Sequence, residues 1–139
     1  MKVLIDTNIV LDILLYRQPW YTDAALIFGL TEEGFIESFV PASAVTDIFY
    51  IAQKQLGKSA TREVIKRILS VFQVVTVTDN NIYQALDLEW EDFEDSVQYV
   101  VGEVLSVKCI ITRNTQDFTL GSINAITPEQ FLHNLDEIE

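Results

Sequence analysis

Cysteine and histidine each occur only once in the sequence, and this scarcity excludes several kinds of catalytic site. A lone cysteine cannot form an intramolecular disulfide, and Cys109 lies in an apolar run where a free thiol ordinarily packs in the core. His133 stands in a segment near the C-terminus that predicts a helix, so we expect a surface or packing role for it. Neither a Ser-His-Asp triad nor a Cys-His pair is therefore indicated.

Glycine-rich loops and long apolar runs are also missing. The five glycines are scattered and match neither GxGxxG nor GxxxxGK[ST], so no dinucleotide or P-loop site is indicated. No apolar run reaches about 18 residues, the minimum for a membrane-spanning helix. The N-terminus leads directly into a strand-like run, without the pattern of a secretory signal. Together with the single cysteine, this predicts a cytoplasmic protein.

Basic residues are few, with nine Lys and Arg against 21 Asp and Glu, which gives a net charge of -12. This charge disfavours broad electrostatic attraction to nucleic acid or to anionic membranes. Five of the nine basic residues nevertheless lie within 54–67, whereas 79–103 contains eight acids and no base. The pattern predicts one locally positive face, and an ordinary solvated helix face is the alternative interpretation.

Hydrophobic residues make up 49% of the 139 residues, enough for the core of one domain spanning 1–139. Apolar, β-rich runs predict strands at 2–5, 39–41, 74–77, 109–112 and 124–126. Segments with helical periodicity lie between them, at 8–17, 23–31, from a cap at Ser43 to Gly57, 61–71, from Thr78 or Asp79 to 86, from 95 onward, and from Thr127 onward. Alternating strands and helices predict an α/β fold with a parallel sheet covered on both faces.

Four aspartates stand where these elements begin or end. Asp6 closes the first strand, Asp47 follows the second, Asp95 opens a helix, and Asp117 follows the fourth strand. The carboxyl ends of parallel strands meet in one crevice, so we expect these acids to converge there. Capping or turn roles are the alternatives for Asp6, Asp95 and Asp117. Asp47 is predicted to lie on a mostly buried helix, where an acid needs a partner.

Converging carboxylates repel one another unless a cation holds them. Mg²⁺ and Mn²⁺ prefer carboxylate oxygen and water, and a set of aspartates with one histidine and one cysteine disfavours zinc. Such a cluster suits phosphodiester hydrolysis, because the cation polarises the phosphoryl group and lowers the pKa of a bound water.

Four segments carry a resemblance to a known family. They occur in order over nearly the whole chain: LIDTN with LDIL (4–14), PASAVTDIFY (41–50), DFEDSVQ (92–98) and ITRNTQDF (111–118). This set resembles the motifs of the PIN-domain family, in particular its toxin-type, VapC-like ribonucleases. One such motif is a weak signal, whereas four in order are a specific one.

The resemblance implies a three-layer α/β/α sandwich with a parallel four- to five-stranded sheet. It also implies a Mg²⁺- or Mn²⁺-dependent ribonuclease that is the toxin component of a toxin–antitoxin pair, with an antitoxin protein as partner and with homodimer formation. By motif position the catalytic and metal-binding acids would be Asp6, Asp47, Asp95 and Asp117.

The resemblance further implies accessory polar residues, namely Asn114, Glu94 and Asn8. Asn114 stands where many members carry an acid, and Asp47 stands where many relatives carry the longer glutamate. We expect RNA phosphate contacts from basic side chains near these motifs and in the basic stretch: Arg17, Lys54, Lys58 and Arg113. Aromatic residues could stack on bases or pack in the core: Trp20, Tyr21, Trp90 and Phe93.

Two other functions are compatible with parts of the pattern. A PIN fold that has lost activity and serves as an interaction module would explain Asn114 and the acidic charge. A phosphoacceptor domain of the response-regulator kind shares the α/β layout, but it requires adjacent acids after the first strand, where this chain has Asp6-Thr7-Asn8.

Overall fold

A parallel five-stranded sheet organises the computed structural model, which describes residues 1–135. In chain order the elements are β1 (Lys2–Ile5), α1 (Thr7–Leu14), α2 (Tyr21–Glu32), β2 (Glu37–Pro41), α3 (Ala42–Leu56), α4 (Lys58–Leu69), β3 (Gln73–Val75), α5 (Asp79–Leu88), α6 (Phe93–Leu105), β4 (Cys109–Ile111), a 3₁₀ helix (Thr115–Phe118), β5 (Asn124–Ile126) and α7 (Pro128–His133). None of the helices within residues 1–135 is long and apolar enough to cross a membrane.

The strand order is β3-β2-β1-β4-β5, with β1 at the centre. Leu4 of β1 pairs with Phe39 on one side and with Ile110 on the other. Strands β2 and β3 lie on one side of β1, and strands β4 and β5 lie on its other side. The direction of strand addition therefore reverses between β1 and β4. In parallel α/β sheets the crevice beyond the carboxyl ends of the strands at such a reversal is the usual ligand site.

Alternating side chains of β1 divide the core into two layers. Val3 and Ile5 pack with apolar residues of α1, α2, α3, α4 and α7, whereas Leu4 packs on the other face with residues of α5 and α6. Successive strand residues point to opposite faces, and both faces here are covered, which explains why β1 is apolar throughout. The predicted three-layer α/β/α sandwich is therefore confirmed.

Several predicted helix starts are one to three residues too late; α2, for example, begins at Tyr21 and α4 at Lys58. Helix α3 begins at Ala42 because β2 leads straight into it with extended Pro41 at the N-cap, and Ser43 makes no cap hydrogen bond. Helix α6 begins at Phe93, two residues before Asp95, because the side chain of Asp92 caps it. The caps of the helices after β3 and β5 agree with expectation, since Thr78 and Thr127 each form a capping box.

Gly121 lies against the ring of Tyr99, whose hydroxyl accepts a hydrogen bond of 2.9 Å from the Ser122 backbone N–H. A methyl group at position 121 would overlap this ring and force it to move. We predict that Gly121→Ala lowers the free energy of unfolding by about 1–3 kcal/mol in urea titrations, as overpacking does.

Gly29→Ala is the matched control. Gly29 lies inside α2 with no neighbouring atom near an added Cβ, so alanine should raise stability by about 0.5–1 kcal/mol through helix propensity. Equal effects of the two substitutions would contradict the packing assigned to Tyr99.

Candidate active site

Asp6 is a buried carboxylate at the carboxyl end of the central strand, with 5% of its surface exposed. Its Oδ1 accepts hydrogen bonds from the Thr7 backbone N–H at 2.7 Å and from Gln98 Nε2 at 2.8 Å. Its Oδ2 accepts from Thr112 Oγ1 at 2.6 Å and from Asn8 Nδ2 at 3.3 Å. Asp6 therefore caps α1, as one interpretation of the sequence expected, and donors from α6 and from the segment after β4 also fix it in place.

Asp95 is the third residue of α6, within its first turn, and is 7% exposed. Burial raises the pKa of its carboxyl group to about 7, and the negative charges of neighbouring acids contribute to the shift, namely those of Asp92, Asp6, Asp117 and Glu94. Within residues 1–135 its Oδ2 has no hydrogen-bond partner. Asp95 is thus a desolvated acid whose charge is opposed by its surroundings.

Glu94 connects the start of α6 with the start of α1. Its Oε1 accepts hydrogen bonds from Thr7 Oγ1 at 3.0 Å and from Gln98 Nε2 at 3.5 Å. Partial burial raises the pKa of Glu94, the hydrogen bond from Thr7 opposes that rise, and the charges of Asp6, Asp47 and Asp92 add to it. The negative charge of Asp47 therefore acts on the same group of acids as the charges of Asp6 and Asp92.

Asp47 itself is exposed, and the prediction that it lies on a mostly buried helix is wrong. Helix α3 buries only one stripe, formed by Ala44, Ile48 and Ala52. The apolar residues next to Asp47 on the helix surface, such as Tyr50 and Ile51, face outward instead. Exposed apolar residues made the helix look more buried than it is.

Asp117 is also exposed and lies in the 3₁₀ helix after β4. It lines a cleft of about 720 Å³ between this turn and the start of α6, together with Asp92, Glu94, Trp90 and Leu120. The four predicted aspartates thus share one electrostatic neighbourhood, with Asp6 and Asp95 buried and the other two at the surface.

The donor set fits a hydrated hard cation. Within residues 1–135 no three acidic, histidine or cysteine side chains stand close enough, as placed, to hold one ion between them. Mg²⁺, however, ordinarily keeps several waters and binds through only one or two carboxylates. The unpaired Oδ2 of Asp95 and the convergent negative charge meet that requirement.

Comparison with known proteins assigns the family. A family model described as "PIN domain" matches residues 2–116, which include Asp6, Asp47 and Asp95 and end one residue before Asp117. The chain belongs to the PIN-domain family. A curated relative is Ribonuclease VapC1 of Aquifex aeolicus (strain VF5), 22% identical over 135 residues that cover 94% of this chain and 92% of the relative.

Solved structures share the fold. A toxin–antitoxin complex from Klebsiella pneumoniae contains a chain with a TM-score of 0.68 and 22% identity, covering 91% of this PIN domain and 97% of that chain. Mycobacterium tuberculosis VapC20, described as a sarcin-ricin loop cleaving toxin, has a TM-score of 0.69 and 13% identity, covering 86% of this chain and 95% of its own.

Two residues that hold this PIN-domain site were not predicted from the sequence. Gln98 and Thr112 are both fully buried and donate to Asp6. The signal for Gln98 was a polar residue in the apolar stripe of α6, flanked by Val97 and Tyr99. The signal for Thr112 was only its position directly after β4.

The predicted accessory residues lie around Asp6. Asn8 donates to Asp6 and accepts a 3.4 Å hydrogen bond from the Arg113 backbone N–H. Asn114 is exposed, and its backbone N–H donates to Thr112 Oγ1 at 3.0 Å. Asn114 is not among the residues that line the acidic cleft, and it lines a second cavity together with Trp20 and Arg113.

The basic residues predicted to contact RNA fall into two groups. Arg113 Nε donates to Asp12 Oδ2 at 2.8 Å and its Nη2 donates to Oδ1 at 3.1 Å, while Arg17 Nη1 is 3.9 Å from the same carboxylate. Lys54 and Lys58 are exposed near the far end of α3, at least about two helical turns beyond Asp47. Only the two arginines are therefore close to the acidic site.

The charge on Asp95 should make the cation-free protein less stable as the pH rises. Because folding raises the pKa of Asp95 from 3.8 to about 7, the folded state binds the proton more tightly between these values, and the free energy of unfolding falls across this window. In chelator, Asp95→Asn should be more stable than wild type by roughly 2–4 kcal/mol at pH 8 and equally stable near pH 4. Urea unfolding at several pH values measures this, with the exposed Asp87→Asn as control. A stability difference independent of pH would contradict the assignment.

Asp12 has no exposed surface, so its charged carboxylate is stabilised mainly by the hydrogen bonds from Arg113. We predict that Arg113→Ala lowers the free energy of unfolding by about 3–5 kcal/mol, because it leaves the buried carboxylate of Asp12 with only the longer contact to Arg17. Adding Asp12→Asn should restore part of the loss. Arg17→Ala is the control, since its longer contact should contribute less. If urea unfolding gave the same loss for both arginine variants, the assigned role of Arg113 would be wrong.

Proposed function

We propose that this PIN domain hydrolyses phosphodiester bonds in RNA with a divalent cation, Mg²⁺ or Mn²⁺, and that it is the toxin component of a toxin–antitoxin pair. The observation that carries the proposal is the convergence of acids on Asp95, whose pKa is raised to about 7 by burial and, to a smaller extent, by these neighbouring charges. A cluster of repelling carboxylates is unfavourable for folding and is suited to holding a cation. Membership of the PIN-domain family and the ribonuclease name of the relative support the same function.

Four aspartates would hold the hydrated cation, one or two of them directly and the others through its bound waters: Asp6, Asp47, Asp95 and Asp117. When bound, the cation would polarise the phosphoryl group and lower the pKa of an attacking water. Gln98 and Thr112 keep the carboxylate of Asp6 in a single orientation through their hydrogen bonds. Glu94, Asn8 and Asn114 are the accessory polar residues of this proposal.

RNA would be held by local positive charge, since the chain as a whole carries -12. We assign a phosphate contact near the site to Arg17, a sugar contact to Arg113, whose charge Asp12 balances, and contacts farther along the chain to Lys54 and Lys58. Lys54 Nζ lies 4.4 Å from the ring centre of exposed Tyr50, so the lysine stem is held on a surface where a strand of RNA could pass.

An antitoxin protein is the proposed partner, and a homodimer the proposed assembly. The structural likeness to a chain of a toxin–antitoxin complex supports the partner. A cytoplasmic location and a single domain over residues 1–139 belong to the same proposal.

A catalytically inactive interaction module is the second candidate. It is favoured by one observation, that no three potential ligands within residues 1–135 stand close enough to hold one ion as placed. The cleavage assay that follows separates the two candidates.

Purified protein should cleave labelled single-stranded RNA in Mn²⁺ and not in chelator. Asp6→Asn and Asp95→Asn should each lower the rate at least about 100-fold, or about 2.7 kcal/mol. Asparagine can still cap α1 at position 6, and Asp95→Asn is expected to be more stable than wild type, so lost activity would not reflect unfolding. Exposed Asp87→Asn is the control, expected to retain the wild-type rate. Cleavage that survives both site substitutions would come from a contaminant and would refute the proposal.

A further inference from the structure

We infer that the cavity lined by the stacked side chains of Trp20 and Arg113 is a subsite for one unpaired nucleobase of the RNA, with guanine the base that fits best. The inference rests on the proposed function, because it names what part of the substrate this cavity would take. The cavity has a volume of about 400 Å³ and is lined by residues from α2, α7 and the segment after β4, among them Trp20, Asp23, Arg113, Asn114 and Glu129. Pockets of a few hundred Å³ are typical for small ligands.

One wall of the cavity is a stacked pair of flat side chains. The guanidinium carbon of Arg113 lies 3.9 Å from the ring centre of Trp20. Trp20 still leaves 42% of its surface exposed, which is unusual for a tryptophan that only packs in a core. Aromatic rings and arginine planes are the surfaces on which proteins stack unpaired bases.

Arg113 cannot leave this position easily. Its Nε and Nη2 both donate to Asp12, a carboxylate with no exposed surface. This bidentate pair joins the planar guanidinium to the planar carboxylate, so it fixes the orientation of the guanidinium as well as its position. The wall of the cavity is therefore formed before any ligand arrives.

The charges around the cavity favour a base over a phosphate. The charge of Arg113 is already balanced by Asp12, whereas the lining residues Asp23 and Glu129 form no ion pair within residues 1–135. Two unbalanced carboxylates repel a phosphate and accept hydrogen bonds from N–H groups. Guanine presents adjacent N–H donors on its Watson–Crick edge, and the amide of Asn114 offers a further donor and acceptor.

The side chain of Asn8 connects the cavity with the acidic site. Asn8 accepts from the Arg113 backbone at 3.4 Å and donates to Asp6 at 3.3 Å. A base held between Trp20 and Glu129 would therefore belong to a nucleotide close to the phosphate that reaches the aspartates. Base preference near the cleaved bond would follow from this cavity.

Binding of short RNAs in chelator tests the subsite without catalysis. We would measure Kd by fluorescence anisotropy for four labelled pentaribonucleotides, UUXUU, in which X is G, A, C or U. The wild-type protein should bind the guanine oligomer about tenfold more tightly than the uracil oligomer. Trp20→Leu should lower that affinity about tenfold, Trp20→Phe should retain most of it, and Tyr83→Leu, which removes an exposed aromatic of α5, should have no effect.

Glu129→Gln and Asp23→Asn separate base recognition from electrostatics, and they remain informative if Trp20→Leu fails to fold. Removing a negative charge should tighten binding of all four oligomers equally if only electrostatics matters, as expected for the control Asp87→Asn. The subsite instead predicts that the ratio of guanine to uracil affinity falls toward one.

Three outcomes would overturn the subsite: equal binding of the four oligomers, an unchanged affinity ratio in both acid variants, or displacement of the oligomers by millimolar inorganic phosphate in wild type but not in Trp20→Leu. Failure of the proposed function looks different. Metal-dependent cleavage would then be absent, while the base preference in chelator persisted.

Discussion

Repulsion among carboxylates around buried Asp95 is the physical constraint on which the site depends. The side chain lies in the first turn of α6, and neither burial nor its acidic neighbours favour its charge. A fold selected only for stability would replace such a residue, since a desolvated acid without a partner lowers the free energy of unfolding. Its presence at the carboxyl edge of the sheet, beside Asp6, is explained most simply by a cation that offsets the repulsion.

The rest of the fold holds this unfavourable group in place. The reversal of strand order between β1 and β4 opens the crevice, and Asp6 closes β1 at its edge. Gln98 and Thr112 bring donors to Asp6 from α6 and from the end of β4, so two elements distant in sequence meet on one carboxylate. Asp12 and Arg113 form a part-buried ion pair that fixes the wall of the neighbouring cavity.

Local patterns allowed much of this to be predicted. Five apolar runs and the acids that follow them indicated a parallel sheet with a site at its edge, because a strand covered on both faces must be apolar throughout. Burial was harder to predict. Asp47 was expected on a mostly buried helix because apolar Tyr50 and Ile51 lie near it, but both of these residues face solvent. The sequence alone does not distinguish an exposed apolar residue from one in the core. The start of α6 was misplaced because Asp92 and Asp95 are both good cap residues. The contact of Asp12 with Arg113 joins positions 101 residues apart and could not be read from either neighbourhood.

The central claim is that these carboxylates bind a divalent cation, and the free Mn²⁺ signal in electron paramagnetic resonance measures it directly. Mn²⁺ would be added stepwise at pH 7.5 to protein freed of metal by chelator and dialysis. The account predicts that the signal of free Mn²⁺ stays below the total until a saturable site is filled, and that Asp95→Asn weakens this binding. A free signal that rises in proportion to total Mn²⁺ from the first addition would contradict it.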